Sequence, residues 1–532
     1  MPLLPYLRFG LVLSLLILLA WQKVQPSVWL QKAYGAWQIQ HQTIPEYDPF
    51  ASYAVHPPET EEEANSEHRF KALDTLTQKT LAWLTSGYEN RVEDWKHMAA
   101  RFAIFHYLIG LAAYYSLILA CQKVSGSATL GVLFASTAMV VIVLRGYPQD
   151  AHLVGLLLFC LFLNGLGSDR LSWWALIFIP ALWVLWVNAD GGFWVGIALS
   201  FGLFLARIVE LYQYFQNGGG EKTDLSRILR NLILTLVILL ASGYLTQFNP
   251  NGFGVLKLAL NYPRGENISD FPFWQPYDFS QPSANCWILM AFMAFLILLF
   301  LLSRCNFLPK YLILLIIFFV WALIHQKAFV WFVVIASWTA AYLSSGMRRP
   351  LQDNEKPSSA LGKMAYLILP VLALATSPAI RALLNQASIS DLVTADTPIE
   401  LGAVLKQNPE NKFFPEWNNL LADYPNQSFT GEILATPAQA DFLMSVLEVP
   451  NHVVIHSQAY TYEKVTWDEY KALRDLGPSW WDLLERYQIS LVILTPKTPL
   501  VKQLAIEKNW QVLRNDDHLF IAIRSKIPTT WR

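Results

Sequence analysis

Charge is scarce in this chain. Of its 532 residues only 15% are Asp, Glu, Lys or Arg, against about 25% in an ordinary soluble domain. Beside 54% hydrophobic and 14% aromatic residues and a mean hydropathy of +0.32, that shortage excludes a disordered chain and argues against a soluble enzyme. A surplus of either sign is missing too. The net charge of -1 and a pI near 6.8 provide no broad basic field for nucleic acid. Cysteine is equally sparse. Cys121, Cys160, Cys286 and Cys305 lie in or beside apolar runs, and residues 385–532 contain none, which rules out a disulfide-stapled tail. That tail also lacks metal-ligand spacing, a Gly-rich phosphate loop and a nucleophile elbow. No internal repeat of fixed period is present.

What the sequence does have is long apolar runs. They fall near Leu7–Trp21, Arg101–Ala120, Ala128–Leu144, Leu153–Gly167, Trp173–Val187, Phe193–Leu211, Ile228–Phe248, Trp287–Ser303, Leu308–Ile324, Phe329–Ser345 and Met364–Ser377. A helix satisfies its own backbone in lipid, and about 20 residues span the hydrocarbon layer. The runs therefore predict about eleven transmembrane helices. The first resembles a signal peptide in having Arg8 before Leu11–Ala20, but Trp21, Gln22 and Lys23 replace a small-residue cleavage site, so an uncleaved anchor is expected.

The few charges sort by loop. With the N-terminus inside, the inner connections hold Lys123, Arg170, Lys222, Arg227, Arg230, Arg304, Lys310, Arg348, Arg349, Lys356 and Lys363. The short outer ones hold Arg145, Lys257, Arg264 and Lys327. This positive-inside bias predicts a bundle over residues 1–380 in a cytoplasmic membrane, with its N-terminus cytoplasmic. Residues 24–100 and 249–285 form outer loops, and 385–532 form an extracytoplasmic, small α/β domain. Within the first loop, the acidic stretch Glu59–Glu67 reads as a solvated face or a flexible link. Phe70–Leu84 has Leu73, Leu76, Leu81 and Leu84 at helical spacing, which predicts one or two helices on the membrane surface. Pro250, Pro263, Pro272, Pro276 and Pro282 exclude a long helix from the second loop. In the tail, Thr397-Pro398, Thr436-Pro437 and Ser479 read as helix starts. Val453–Ile455, Leu491–Leu494, Gln511–Leu513 and Leu519–Ile523 read as strands.

Polar residues at membrane level gather on the outer side: Glu46, Asp48, Arg145, Asp150, His152, Asn188, Asp190, Asn249, Asp270, Asp278, His325 and Lys327. Charges near bilayer depth are costly and tend to line cavities, so a convergent group points to a site opening outward. Arg145 sits in the very short turn Arg145–Asp150, where a guanidinium either holds a phosphate bidentately or snorkels to water. Asp190 occupies the abrupt turn Trp186–Phe193, beside Gly191 and Gly192. It is a base, a metal ligand, a partner of Arg145 or Lys327, or a solvated turn aspartate. Glu46 and Asp48 form a proline-bracketed carboxylate pair between Pro45 and Pro49.

The ordered set of short motifs resembles bacterial polytopic proteins related to the GT-C glycosyltransferases. Val28-Trp29 through Gly35–Ile39, His41, Ile44-Pro45 and Asp48–Phe50 are similar to that family's first outer loop. Arg145 with Pro148-Gln149, then Trp186–Asn188 with Gly191–Phe193, resemble two of its outer turns. Asn249–Gly252 with Trp274–Pro276 and Asp278-Phe279 resemble its middle outer loop. In the tail the resemblance runs through Trp481, Leu484, Tyr487, Leu491–Leu494, Trp510 and Asp516–Arg524. It implies a GT-C-like fold and transfer of a sugar from a polyprenyl-phosphate donor, with an acid soon after the first helix acting as base or metal ligand.

Where relatives read Asp-Pro-Asp followed by Trp-His, this chain reads Gln25–Gln31, and Asp190 stands in place of a turn histidine. Gln and Ser cannot serve as a carboxylate base. The expected catalytic acids are therefore Asp48, Asp190 and Glu46. Arg145, Lys327, Asn188 and His325 are the expected substrate or phosphate ligands, and a divalent metal is possible in principle. Expected partners are membrane lipids, a polyprenyl-phosphate sugar and other proteins, with no nucleic acid. A catalytically degenerate scaffold subunit of a membrane complex is the alternative, favoured by the missing acids and by 21 Trp, 22 Tyr and 31 Phe.

Overall fold

The computed structural model describes residues 3–45, 48–50, 73–88, 91–144, 151–217, 222–261, 267, 270–271, 274–305, 308–347, 360–405, 432–447, 453–458, 462 and 464–525. Arg145, Asp150, Glu46 and the stretch 59–67 lie outside them. Every apolar run falls on a helix: Leu3–Ala20, Val92–Ser125, Ala128–Leu144, Ala151–Leu166, Ala175–Ala189, Trp194–Gln216, Lys222–Leu245, Ala284–Leu302, Pro309–Ile324, Phe329–Ser345 and Ala360–Ala375. Among the described residues, five helical segments have the length and hydropathy to cross a membrane: Val92–Ser125, Gly191–Gln216, Asp224–Phe248, Ala284–Leu302 and Gln326–Ser345. The other apolar helices are shorter, at 10–17 residues. The chain is thus a polytopic helical protein with a small C-terminal sheet.

The chain divides into two compact units. The first comprises Met1–Gln22, Ile104–Arg264 and Ser269–Arg381; the second Lys23–Ala103, Gly265–Ile268 and Ala382–Arg532. Residues 24–100, placed with the bundle on the sequence, group instead with the C-terminal residues.

In the first unit, Ala151–Leu166 and Ala175–Ala189 fold back on each other as a hairpin, joined by the loop 167–174. Buried aromatics fill the angle between them. Phe162 meets the Trp186 ring at 5.2 Å, and Trp183 meets Phe193 at 5.8 Å, both edge-on, an arrangement aromatic quadrupoles favour. The hairpin's loop is gripped from three helices. Lys310 Nζ, buried, donates to the Gly167 carbonyl (3.0 Å) and pairs with Asp169 Oδ1 (2.5 Å). Arg207 donates to the Ser168 carbonyl (2.8 Å) and pairs with Glu210. Asn231 donates to the Asp169 carbonyl (2.7 Å) and accepts from Leu171 N–H (3.1 Å). Backbone carbonyls of the loop thereby find side-chain donors.

In the second unit the sheet order is β1-β2-β4-β3, with β1 Glu432–Ala435, β2 Ile489–Leu494, β3 Trp510–Asn515 and β4 Phe520–Arg524. β1 runs parallel to β2; β4 is antiparallel to both β2 and β3. Every residue of β2 is buried, the continuous apolar signature of a strand covered on both faces. Val453–Ile455, expected as a strand, instead makes an isolated bridge from Val453 to Ile433; three apolar residues make too short a ladder to persist. Thr436 opens helix Pro437–Val446 with a reciprocal capping box to Gln439. Ser479 makes no side-chain bond to helix Trp480–Arg486, contrary to its reading as a cap. Helix Pro26–His41 packs on Thr75–Leu84 at a point where a side chain on Gly35 would stand 1.9 Å from the Gln78 carbonyl. Only glycine admits that approach, and Gln38 bonds Gln78 beside it (2.6 Å). Edge-on contacts of Trp29 and Trp95 with Phe442, at 5.2 and 5.4 Å, continue the core.

Candidate functional site

The hairpin end opposite the gripped loop carries the first candidate site. Helix Ala175–Ala189 stops at Asp190, whose extended backbone breaks the helix and whose side chain then caps the turn Gly191–Phe193, accepting from Gly192 N–H (3.1 Å). This turn aims the carboxylate back at the start of helix Ala151–Leu166. There His152 Nδ1 lies 2.8 Å from Asp190 Oδ1, while Trp186 Nε1 donates to Oδ2 (3.2 Å). On the far side of the imidazole, Lys327 Nζ lies 2.6 Å from His152 Nε2.

The donor logic of this line is fixed by its ends. An ammonium has only protons to offer, so Lys327 donates and Nε2 accepts. The ring is then neutral, with its proton on Nδ1 toward the carboxylate. Asp190 is fully buried, whereas the His152 side chain is 20% exposed. The line thus runs from a dry anion through a neutral imidazole to a cation.

Close packing makes room for it. A Cβ on Gly155, one turn along the helix from His152, would meet Asp190 Oδ2 at 1.9 Å. Glycine at 155 is therefore a requirement for the carboxylate's position. The turn Gln326–Ala328 supplies Lys327, and its neighbour His325 ends helix Pro309–Ile324. His325 Nδ1 donates to the Trp274 carbonyl (2.8 Å), and Gln326 N–H donates to the Gln275 carbonyl (3.1 Å). These bonds hold Trp274 so that its ring lies 4.9 Å from Lys327 Nζ, a cation–π contact. Asn249 donates to the Val187 carbonyl (2.8 Å) just before the turn. Asn188 is turned away, bonding the Val184 carbonyl of its own helix (2.9 Å).

Asp190, Lys327 and His325, expected on the sequence, are therefore brought to one end of the bundle. Sequence reasoning listed His152 only among the outward polar residues and missed that it joins Asp190 to Lys327. Trp186 and Gly155 were not read as parts of the site.

Asp48 belongs to the second unit and to a different arrangement. Its Oδ2 accepts from the Tyr34 hydroxyl (2.5 Å) and lies 2.8 Å from His456 Nε2; its Oδ1 accepts from Phe50 N–H (3.0 Å). Gln458 N–H donates to His456 Nδ1 (3.2 Å). That nitrogen therefore carries no proton, and Nε2 donates to the carboxylate. Tyr34, Asp48 and His456 are all buried. Burial by itself would raise the Asp48 carboxyl. The His456 ring, with the hydroxyl of Tyr34 and the amide of Phe50, more than offsets it and holds the group below the usual carboxylate range. His456 was missed on the sequence.

Among the described residues, no three His, Cys, Asp or Glu side chains form a set fit to hold a metal ion. The described side chains place an oriented imidazole beside a cation in the bundle and a buried carboxylate in the second unit.

No protein-family model matches the sequence, and no curated protein matches it. Among solved structures, the chain is similar to the Archaeoglobus fulgidus oligosaccharyltransferase in its apo form, with 12% identity and a TM-score of 0.48, over 92% of this chain and 69% of that one. It is likewise similar to the same enzyme tethered through a disulfide bond to an acceptor peptide containing the NVT sequon, with 13% identity, a TM-score of 0.49 and the same coverage.

Proposed function

We infer that this chain is a GT-C-like integral-membrane glycosyltransferase, taking its sugar from a polyprenyl-phosphate donor at the extracytoplasmic face. The Asp190–His152–Lys327 line carries this reading. In such a transfer the acceptor's nucleophilic atom bonds to the anomeric carbon. The bond from that carbon to the phosphate oxygen breaks, and polyprenyl phosphate leaves with the electron pair. Two things must be stabilised: the charge developing on the phosphate, and the proton lost by the acceptor. Lys327 serves the first, as a cation aimed where negative charge grows. When it turns to the phosphate it releases His152 Nε2, which takes the proton, and buried Asp190 steadies the imidazolium through Nδ1. In sequence, Arg145 precedes this helix and adds a second cation to the reading. The motif resemblance and the positive-inside loops agree with an outward-facing site, a cytoplasmic N-terminus and an extracytoplasmic C-terminal domain.

The test is direct. The purified protein in lipid nanodiscs, given a polyprenyl-phosphate sugar and candidate acceptors, is expected to release polyprenyl phosphate, read by mass spectrometry. The same preparation with His152→Gln is expected to release almost none. Equal release by both proteins sinks the assigned site.

One observation favours a second reading, a degenerate relative serving as a subunit of a membrane complex. Asp48, one of the acids of the first outer loop, is buried against Tyr34 and His456, an arrangement suited to holding the fold together. Stoichiometric co-purification with other membrane proteins, together with no donor turnover, selects that reading.

A further inference from the structure

Helix Thr75–Leu84 presents two different faces. One, formed by Thr75, Thr77, Gln78, Leu81 and Ala82, is buried and packs on helix Pro26–His41 through the Gly35–Gln78 approach. The opposite face carries Leu76, Lys79 and Trp83, spaced at i, i+3 and i+7 and all exposed. Trp83 is the most open, at 68%. The helix contains no acidic residue. A large indole, a leucine and a lysine on one exposed stripe is the composition of a helix lying in the headgroup layer. Tryptophan favours that layer because its ring is apolar and its N–H is not.

Where this helix ends supports the same occupant. The Arg101 guanidinium donates to the Leu84 carbonyl (2.7 Å) and stacks over Tyr88 at 4.7 Å. Arg101 is the last cation before the apolar run of the long helix Val92–Ser125, one of those able to cross a membrane. An arginine at the mouth of such a run sits at the lipid–water boundary. The C-terminal end of helix Thr75–Leu84, with Trp83 beside Leu84, is therefore tied to the level at which the chain enters lipid.

We propose that the Leu76–Lys79–Trp83 face docks into the interfacial layer of the bilayer that this same chain crosses. Trp83 is the anchor and Lys79 the contact to lipid phosphate. This inference is independent of the glycosyltransferase reading. The occupant is lipid because the stripe is narrow, bears a cation and no acid, and continues from a membrane-entry point.

The full-length protein with Cys305→Ser, in nanodiscs of mixed phosphatidylethanolamine and phosphatidylglycerol, tests this. A nitroxide is placed singly by Trp83→Cys, by Leu76→Cys, and at exposed Lys502 by Lys502→Cys as an aqueous reference. Collision with oxygen is compared with collision with a water-soluble nickel chelate. Labels at 83 and 76 are expected to favour oxygen several-fold more than the label at 502. The Leu76→Cys protein retains Trp83, so loss of the anchor cannot mask the result. A label at both positions as open to nickel as that at 502 overturns the proposal. Labels shielded from both reagents also overturn it, because they mark a protein contact instead of lipid.

Discussion

Among the described residues, two carboxylate–histidine pairs share the same separation. Asp190 and His152 stand 2.8 Å apart in the bundle, and Asp48 and His456 stand 2.8 Å apart in the second unit. What differs is the third partner. In the second unit Tyr34 shares the same carboxylate oxygen as the imidazole, and all three side chains are buried. In the bundle the third group is the Lys327 ammonium, bound to the far nitrogen of a ring that is partly exposed. A phenol on the carboxylate closes a network. A cation beyond the ring leaves a charge that can be handed to an arriving anion. The same pair is thus a fastener in one place and, on the proposed function, a relay in the other.

Breaking the relay should have the largest effect. Asp190→Asn removes the charge that orients His152 and is expected to lower sugar transfer by about 100- to 10,000-fold, with the folded fraction unchanged by size-exclusion chromatography. Gly155→Ala, whose methyl would collide with Asp190 Oδ2, should approach that loss without touching any reacting group.

Breaking the fastener should show in stability instead. His456→Ala leaves a buried carboxylate without its main partner and is expected to cost about 3–5 kcal/mol, measured by denaturant unfolding of the second unit's near-UV signal. Transfer per folded molecule should be far less affected. A catalytic loss as large as that of Asp190→Asn would erase the distinction between the two pairs.

Lys327→Gln comes next. If Lys327 serves the leaving phosphate as proposed, its loss is expected to reduce transfer by about 100-fold, more through turnover than through stability. The smallest effect is that of Tyr34→Phe, about 1 kcal/mol for one hydrogen bond. It should be accompanied by a shift in acid sensitivity. Asp48 is held below its ordinary value in the fold, so its contribution is complete above about pH 4. It is lost as the pH falls through the lowered folded value. Removing the Tyr34 hydroxyl raises that value, and the acid unfolding midpoint should move up. Asp48→Asn should abolish this part of the acid dependence.

The bundle was legible in the sequence because lipid imposes one rule on every span: long, apolar and helical. The turns at Asp190 and Lys327 were legible for the same reason, since an ionisable residue between two apolar runs has few innocent explanations. Their connection was not. His152 lies 38 residues from Asp190 and 175 from Lys327, and no local periodicity encodes a contact at that separation. The sealed trio was harder still. Asp48 and His456 are 408 residues apart, and His456 follows a short apolar triplet that reads as a strand. Gly155 gave no signal, because a glycine in an apolar helix looks like ordinary packing. The grouping of residues 24–100 with the tail was hidden likewise, since it rests on the packing of Trp29 and Trp95 against Phe442 and on other buried contacts between distant segments.

Helix Pro309–Ile324 has Lys310 at its start and Lys327 just past its end, and both lysines hold the hairpin 151–189. The first grips the loop at Gly167 and Asp169, the second meets His152 at the opposite end. Sixteen helical residues separate these ends by about 24 Å, so the helix acts as a gauge block set across the bundle. Its length fixes how far the ammonium stands from the imidazole. A one-residue insertion in it would shift one lysine by about 1.5 Å and turn it by a little over a quarter revolution relative to the other. The pairing of Lys327 with His152 would then be detuned from the opposite end of the helix, without any change among the residues that compose it.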